Sequence, residues 1–287
     1  MNKIINSFIL LLFSNTIFPV DNHFNGIFFQ SFGNGKVIIA VNGGPGMDSW
    51  YFKNYLMPLS KFYKLVIFDQ RGCGNSQSEN ISIQSTLNDI ESLRKYYDAN
   101  KIVLFAHSYG CIPAIKYLLK YRNNVEKVLL ISGYARKHPE QYKYFKLSPQ
   151  ILKRINEVTK SNLQENDKNK IVETLRCSAY FYNQQYHKES FLTFFYNSIR
   201  FNEETARIIF SSDDYSLFDE RENLRQLSGL PVMVGIGKHD IITPLFLSQE
   251  LSECLMNSKL MIFEKSGHFP FIEEQAEFIA KVRAFIK

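Results

Sequence analysis

The chain has 287 residues, 45% hydrophobic and 22% charged, which suits one large packed domain or one domain carrying an insertion and excludes disordered, collagen-like and coiled-coil classes. Its 34 Lys and Arg against 28 Asp and Glu leave a charge of +6, spread along the chain without the basic stripe of a nucleic-acid binder. Aromatics are the unusual term at 15%, with 25 Phe and 16 Tyr against one Trp, enough ring surface to fill a deep core or line an apolar pocket.

Residues 1–14 read MNKIINSFILLLFS, one Lys followed by an apolar stretch. The stretch is too short for a stable membrane span, which needs about 20 apolar residues. It fits either a signal peptide, which implies export, or an N-terminal extension packed on a cytoplasmic protein.

From Val37 onward, short apolar runs alternate with helical patterns. Residues 37–41 (VIIAV), 65–68 (LVIF), 102–105 (IVLF), 128–131 (VLLI), 232–235 (VMVG) and 259–263 (KLMIF) have the length and β-branching of strands buried on both faces of a parallel sheet. Between them, Leu87, Ile90, Leu93 and Tyr97 mark one helix face, and Ile112, Ile115, Leu118 and Leu119 another. A last helix is expected over residues 273–286, with Phe278, Ile279, Val282 and Phe285 inward. The fold class is therefore α/β with a mostly parallel central sheet flanked by helices.

The alternation stops near Tyr134 and resumes near Leu230. This divides the chain into a possible leader (1–14), a first core segment (15–134), a mostly helical cap insertion (135–229) and a second core segment (230–287). The insertion holds the aromatic clusters Tyr180, Phe181, Tyr182 and Phe191, Phe194, Phe195, and its polar residues 160–170 are expected to form an exposed turn or loop. Cys73, Cys111, Cys177 and Cys254 are far apart and make no C-x-x-C pair, so buried thiols are expected rather than a zinc site or disulfide framework.

Ala106-His107-Ser108-Tyr109-Gly110 follows the IVLF strand and precedes a helix, the small-x-Ser-x-small form of a nucleophile elbow. A serine nucleophile needs a base and an orienting carboxylate. Asp240 follows the VMVG strand and His268 the KLMIF strand, both in loops at the carboxyl ends of strands, where sites of parallel sheets collect. His107 is too close in sequence to serve as base, and His239, beside Asp240, is the alternative. Asn42-Gly43-Gly44-Pro45-Gly46 follows the VIIAV strand and can aim N–H groups at a developing oxyanion. The expected pair is Gly43 or Gly44 together with Tyr109.

With these motifs, the segment from Asp69 to Ser76 (DQRGCGNS), GKHD and SGH, the chain resembles the proline iminopeptidase family of α/β-hydrolases over residues 22–132 and 230–287. Asn42 stands where the family motif has His, and Ala106 where it has Gly. The resemblance implies an α/β-hydrolase core with a helical cap and no metal or cofactor. It also implies Ser-His-Asp chemistry releasing an N-terminal residue, often proline, from small peptides. Family members hold the substrate amine with cap carboxylates, one of them before an aromatic segment. Here Cys177 stands near that position. Glu203, Glu204, Asp213 and Asp214 are the remaining acids, and Tyr180 and Phe181 the candidate pocket rings. The rival expectations are a cap-bearing esterase or amidase acting on a small acyl group, and a catalytically silent binding protein.

Overall fold

Six apolar runs become six parallel strands, five of them within the sheet and the last at its edge. The computed structural model describes residues 20–137 and 146–287. The strands are β1 (Val20–Phe24), β2 (Ile27–Phe32), β3 (Val37–Val41), β4 (Lys64–Phe68), β5 (Ile102–His107), β6 (Val125–Ile131), β7 (Val232–Gly237) and β8 (Ser258–Phe263). They form one sheet in the order β1-β2-β4-β3-β5-β6-β7-β8, antiparallel at β1-β2-β4 and parallel from β4 to β8. β1 and β2 were not among the expected strands. β8 is an edge strand with its middle half-buried, not covered on both faces.

Alternate residues of each strand feed two cores. Ile39, Val41, Leu104, Leu130 and Val234 pack beneath α2 (Ile83–Tyr96), α3 (Cys111–Lys120) and α10 (Leu245–Glu253). Ile38, Ala40, Phe105, Leu129 and Met233 pack beneath α1 (Trp50–Leu56), α11 (Pro270–Glu273) and α12 (Gln275–Ile286). The expected last helix is thus two, broken at Glu274, with Phe278, Ile279 and Val282 buried and Phe285 half-buried.

Strand order reverses between β3 and β5. The chain runs from β3 outward to β4, then returns to lay β5 on the other side of β3. Loops leaving such neighbours diverge and open a crevice at their carboxyl ends. The loops after β3 and β5 hold the glycine-rich segment and Ser108.

Between β6 and β7 the described residues form helices α4 (Pro149–Thr159), α5 (Glu165–Arg176), α6 (Glu189–Ser198), α7 (Glu203–Phe210), α8 (Asp213–Ser216) and α9 (Arg221–Arg225). The expected loop at 160–170 is only half loop, because α5 begins at Glu165. Glu165 and Asp167 favour a helix start, and Ile171 and Leu175 give the polar segment an inward edge. Residues 180–183 leave a short 3₁₀ turn rather than continuing a helix. The four cysteines are buried and unpaired. Among the described residues no helix is long and apolar enough to cross a membrane, and residues 1–14 lie outside them.

Candidate active site

Ser108 begins a one-turn 3₁₀ helix between β5 and α3 with φ of 53°, a left-handed conformation that a non-glycine residue adopts only under constraint. The constraint comes from both sides of the turn. A Cβ on Gly110 would lie 2.4 Å from the Val41 carbonyl oxygen and 2.5 Å from that of Asn42, so only glycine fits. Ala106 is fully buried in the sheet. The strained turn lifts the hydroxyl out of the strand end.

Two other loops meet it there. His268 Nε2 lies 2.9 Å from Ser108 Oγ, and His268 Nδ1 lies 2.8 Å from Asp240 Oδ2. A carboxylate only accepts, so Nδ1 carries the proton and Nε2 is left to accept from the serine. Asp240 is held in turn: its Oδ1 accepts the N–H groups of Ile242 and Thr243, and Thr243 Oγ1 lies 2.8 Å from Oδ2. The His268 carbonyl accepts Ser132 Oγ–H and a ring N–H of His107, while the His268 N–H donates to Tyr180 O. His239, the alternative base, instead stacks on Tyr182 with ring centroids 3.6 Å apart.

Of the two glycines expected as alternative donors, one is occupied. Gly43 N–H donates to Tyr51 Oη at 2.5 Å and is committed inside the protein. Gly44 and Tyr109 line the cavity at Ser108, and their N–H groups remain as candidate donors to a bound carbonyl. Asn42 is fully buried, and its Nδ2 donates to the carbonyls of Met47 and Asp48, closing the loop on itself.

The cavity above Ser108 measures about 350 Å³. Its walls come from the core loops (Met47, Ile242, Phe269) and from the segment between β6 and β7 (Tyr134, Tyr180, Phe195, Ile199, Phe210, Tyr215). None of its described lining residues is acidic. Tyr180 lines it as expected, but Phe181 does not; it is buried, stacked on Phe269. Glu204 points to solvent and pairs with Arg207, and Asp214 pairs with Lys116. Glu203 faces an adjoining cavity of about 700 Å³ together with Glu173, which pairs with Arg176. The two cavities share Met47, Tyr180, Phe195 and Ile199 as a dividing wall.

The helical segment is tied to the core on both flanks of the cavity, through residues that the sequence reading did not single out. On the glycine-loop side, Met47 and Phe201 form an antiparallel bridge, and Arg200 donates to Asp48 Oδ2 and Asn75 Oδ1. On the histidine side, the Glu273 carboxylate accepts the N–H groups of Tyr182, Asn183 and Gly267. Burial pushes the Glu273 pKa up to about 7 despite those three donors. Neither residue sits in a recognisable motif; apart from Gly267, their partners lie 90 to 152 residues away in sequence.

Residues 36–275 match the model of the alpha/beta hydrolase fold family. The chain is 27% identical over 275 residues to a proline iminopeptidase of Saccharolobus solfataricus, covering 88% of this chain and 86% of the relative. It is 24% identical over 276 residues to a proline iminopeptidase of Heyndrickxia coagulans, covering 90% and 94%. The structure of an alpha/beta fold family hydrolase from Bacillus anthracis superposes with a TM-score of 0.72 at 22% identity, covering 94% of this chain and 99% of that one. With a family match over most of its length, and an eight-stranded sheet of that architecture, the chain belongs to the α/β-hydrolase fold family.

Proposed function

We propose that the protein is a serine hydrolase in which Ser108 is the nucleophile, His268 the general base and then acid, and Asp240 the orienting carboxylate. The observation that carries this reading is the hydrogen-bonded chain from Ser108 Oγ through His268 to Asp240, opening into a cavity. Ser108 Oγ attacks the substrate carbonyl as its proton passes to Nε2, and the new oxyanion takes the Gly44 and Tyr109 N–H groups. His268 then protonates the leaving amine or alcohol; in the second half it takes a proton from the water that attacks the acyl-enzyme and passes it to Ser108 Oγ as the acid leaves. The described residues of the segment 135–229 serve as the cap that roofs the reaction.

Within that class the preferred substrate is a short peptide with an N-terminal proline or another small apolar residue. Support comes from the end-to-end similarity to proteins named proline iminopeptidase, and from the aromatic cavity, sized for a ring. A bound ammonium needs a carboxylate, since an unpaired buried charge is costly. Glu203 and Glu173, which line the adjoining cavity across the wall of Met47, Tyr180, Phe195 and Ile199, are the acids assigned to it. A second reading, an esterase or amidase for a small uncharged acyl group, is favoured by the acid-free lining above Ser108.

Comparing a proline arylamide, its N-blocked form and a short p-nitrophenyl ester separates the two. Preference for the free-amine arylamide supports the aminopeptidase; preference for either of the others overturns it. Labelling by a fluorophosphonate that disappears in Ser108→Ala tests the serine chemistry itself, and a wild-type protein that neither labels nor hydrolyses is a silent binding fold.

A further inference from the structure

His107 immediately precedes Ser108 and is 1% exposed. Burial holds its imidazole pKa well below the ordinary histidine range, so the ring is neutral near pH 7, with one donor and one acceptor nitrogen. Nε2 lies 3.0 Å from the His268 carbonyl oxygen, which can only accept, so the proton is on Nε2. Nδ1 is then the acceptor, and Tyr51 Oη, 3.1 Å away, is its donor. Burial also raises the Tyr51 pKa, which keeps the phenol protonated. Its oxygen in turn accepts the Gly43 N–H. One arrangement of protons satisfies every member: Gly43 N–H to Tyr51, Tyr51 to His107, His107 to the His268 carbonyl.

That chain joins the three loops on which the proposed chemistry depends. Gly43 presses directly on the elbow: a Cβ there would sit 2.8 Å from Ser108 Cβ and 3.1 Å from His107 Nδ1. Tyr51 thus holds the peptide that enters Gly43, and the next peptide, which carries the Gly44 N–H, is held at its carbonyl by Asn42 Nδ2, 3.1 Å from Gly43 O. At the far end, His107 and Ser132 Oγ together hold the carbonyl of the residue whose ring faces Ser108.

We propose that Tyr51 and His107 are positioning residues, a fixed-tautomer relay that aligns the Gly44 donor and the His268 ring on one and the same substrate carbonyl. The proposal rests on the serine-hydrolase reading above. Small misplacements of reacting groups cost up to about 100-fold in rate, and loss of one oxyanion donor about 100- to 1000-fold.

In Tyr51→Phe, kcat is expected to fall about 10- to 100-fold with KM within about 3-fold of wild type. Affinity for a boronic acid that mimics the tetrahedral adduct falls with kcat, while a non-covalent ligand of the cavity binds as before. His107→Asn keeps an acceptor for Tyr51 but cannot reach His268, and is expected to lose rate as well. A kcat within about 2-fold of wild type in Tyr51→Phe overturns the relay. Nitrogen-15 NMR of the histidine rings in the wild-type protein gives a check that needs no variant to fold. A single Nε2–H tautomer of His107 from pH 5.5 to 8 is expected, and an imidazolium or Nδ1–H form in that window overturns the proposal. Absence of Ser108-dependent labelling in wild type is a separate outcome, which defeats the hydrolase reading rather than the relay.

Discussion

The sheet core and the helical segment between β6 and β7 are built on different principles. In the core, β3, β5 and β7 are buried at every residue, and the polar atoms at their ends are bonded to backbone or to one another within three loops. The helical segment instead coheres through rings: Phe181, Tyr186, Phe191 and Phe195 pack on each other and on Phe269, with centroids 4.9 to 6.1 Å apart. It meets the core through backbone contacts and side-chain ties that include Arg200, Thr205, Tyr186, Asp214 and Glu273. Reacting groups need sub-ångström placement, which buried strands supply, whereas an apolar wall tolerates looser construction. Substitutions in the core loops should therefore change kcat, and substitutions in the helical segment should change substrate affinity or stability.

The hardest test of that division is Asp240→Asn. The amide presents an N–H where His268 Nδ1–H needs an acceptor, so the imidazole loses the tautomer that accepts from Ser108. A kcat loss of about 10⁴-fold is expected, with little change in KM or melting temperature. Steady-state kinetics beside circular dichroism checks it, and a variant retaining a tenth of wild-type kcat would break the assignment. Next in size is Phe195→Ala in the helical segment. Phe195 is 1% exposed, lines the cavity and touches Trp50, Tyr180, Phe181, Phe191 and Phe269. Removing it is expected to cost about 3–5 kcal/mol in thermal or urea unfolding. If kcat falls instead while stability and KM hold, the two regions are not separable in this way.

The same contrast explains what could be read from the residues alone. Five of the six runs were legible because a strand covered on both faces is apolar throughout, and the edge run β8 because it is still mostly apolar; Ser108, Asp240 and His268 each follow one of those runs. β2 alternates buried Ile27 and Phe29 with half-buried Phe28 and Gln30, a weaker signal than a continuous run. That the Gly43 N–H is occupied was not legible, since its acceptor, Tyr51, comes from another element. Glu203 and Glu204 look alike in sequence, yet consecutive helix positions diverge by about 100°, so one faces a cavity and the other solvent. The polar start of α5 conceals a helix because its inward edge is only Ile171 and Leu175.

Glu203 also offers a finer probe of the comparison, in the cavity adjoining that of Ser108. If the substrate amine is held from the helical segment, Glu203→Gln should raise KM for a free-amine arylamide about 10- to 100-fold, and the double change with Glu173→Gln should raise it further. The N-blocked analogue should be unaffected by either change. Equal effects on both substrates would remove the acids from recognition and leave the esterase reading in front.

The smallest expected effect concerns the tie on the histidine side. With its pKa pushed up to about 7, Glu273 binds a proton in the folded protein below that pH, whereas the unfolded chain binds it only below about 4.3. Between these values the native state holds more protons, so this group's contribution to stability grows as pH falls from 7 towards 4.5 and declines as pH rises through 7. The three N–H donors that hold the carboxylate when ionised already act on that pKa, which burial alone would push higher. Glu273→Gln cannot titrate, so its melting temperature should vary less than that of wild type between pH 5 and 7.5. The glutamine also turns an N–H₂ towards one of the backbone donors, which loosens residues 182–183 from Gly267 and should raise hydrogen exchange at Tyr182 and Asn183. Identical pH profiles for the two proteins would mean that Glu273 is ionised across this range, and the tie would then be a permanent one rather than one that responds to protons.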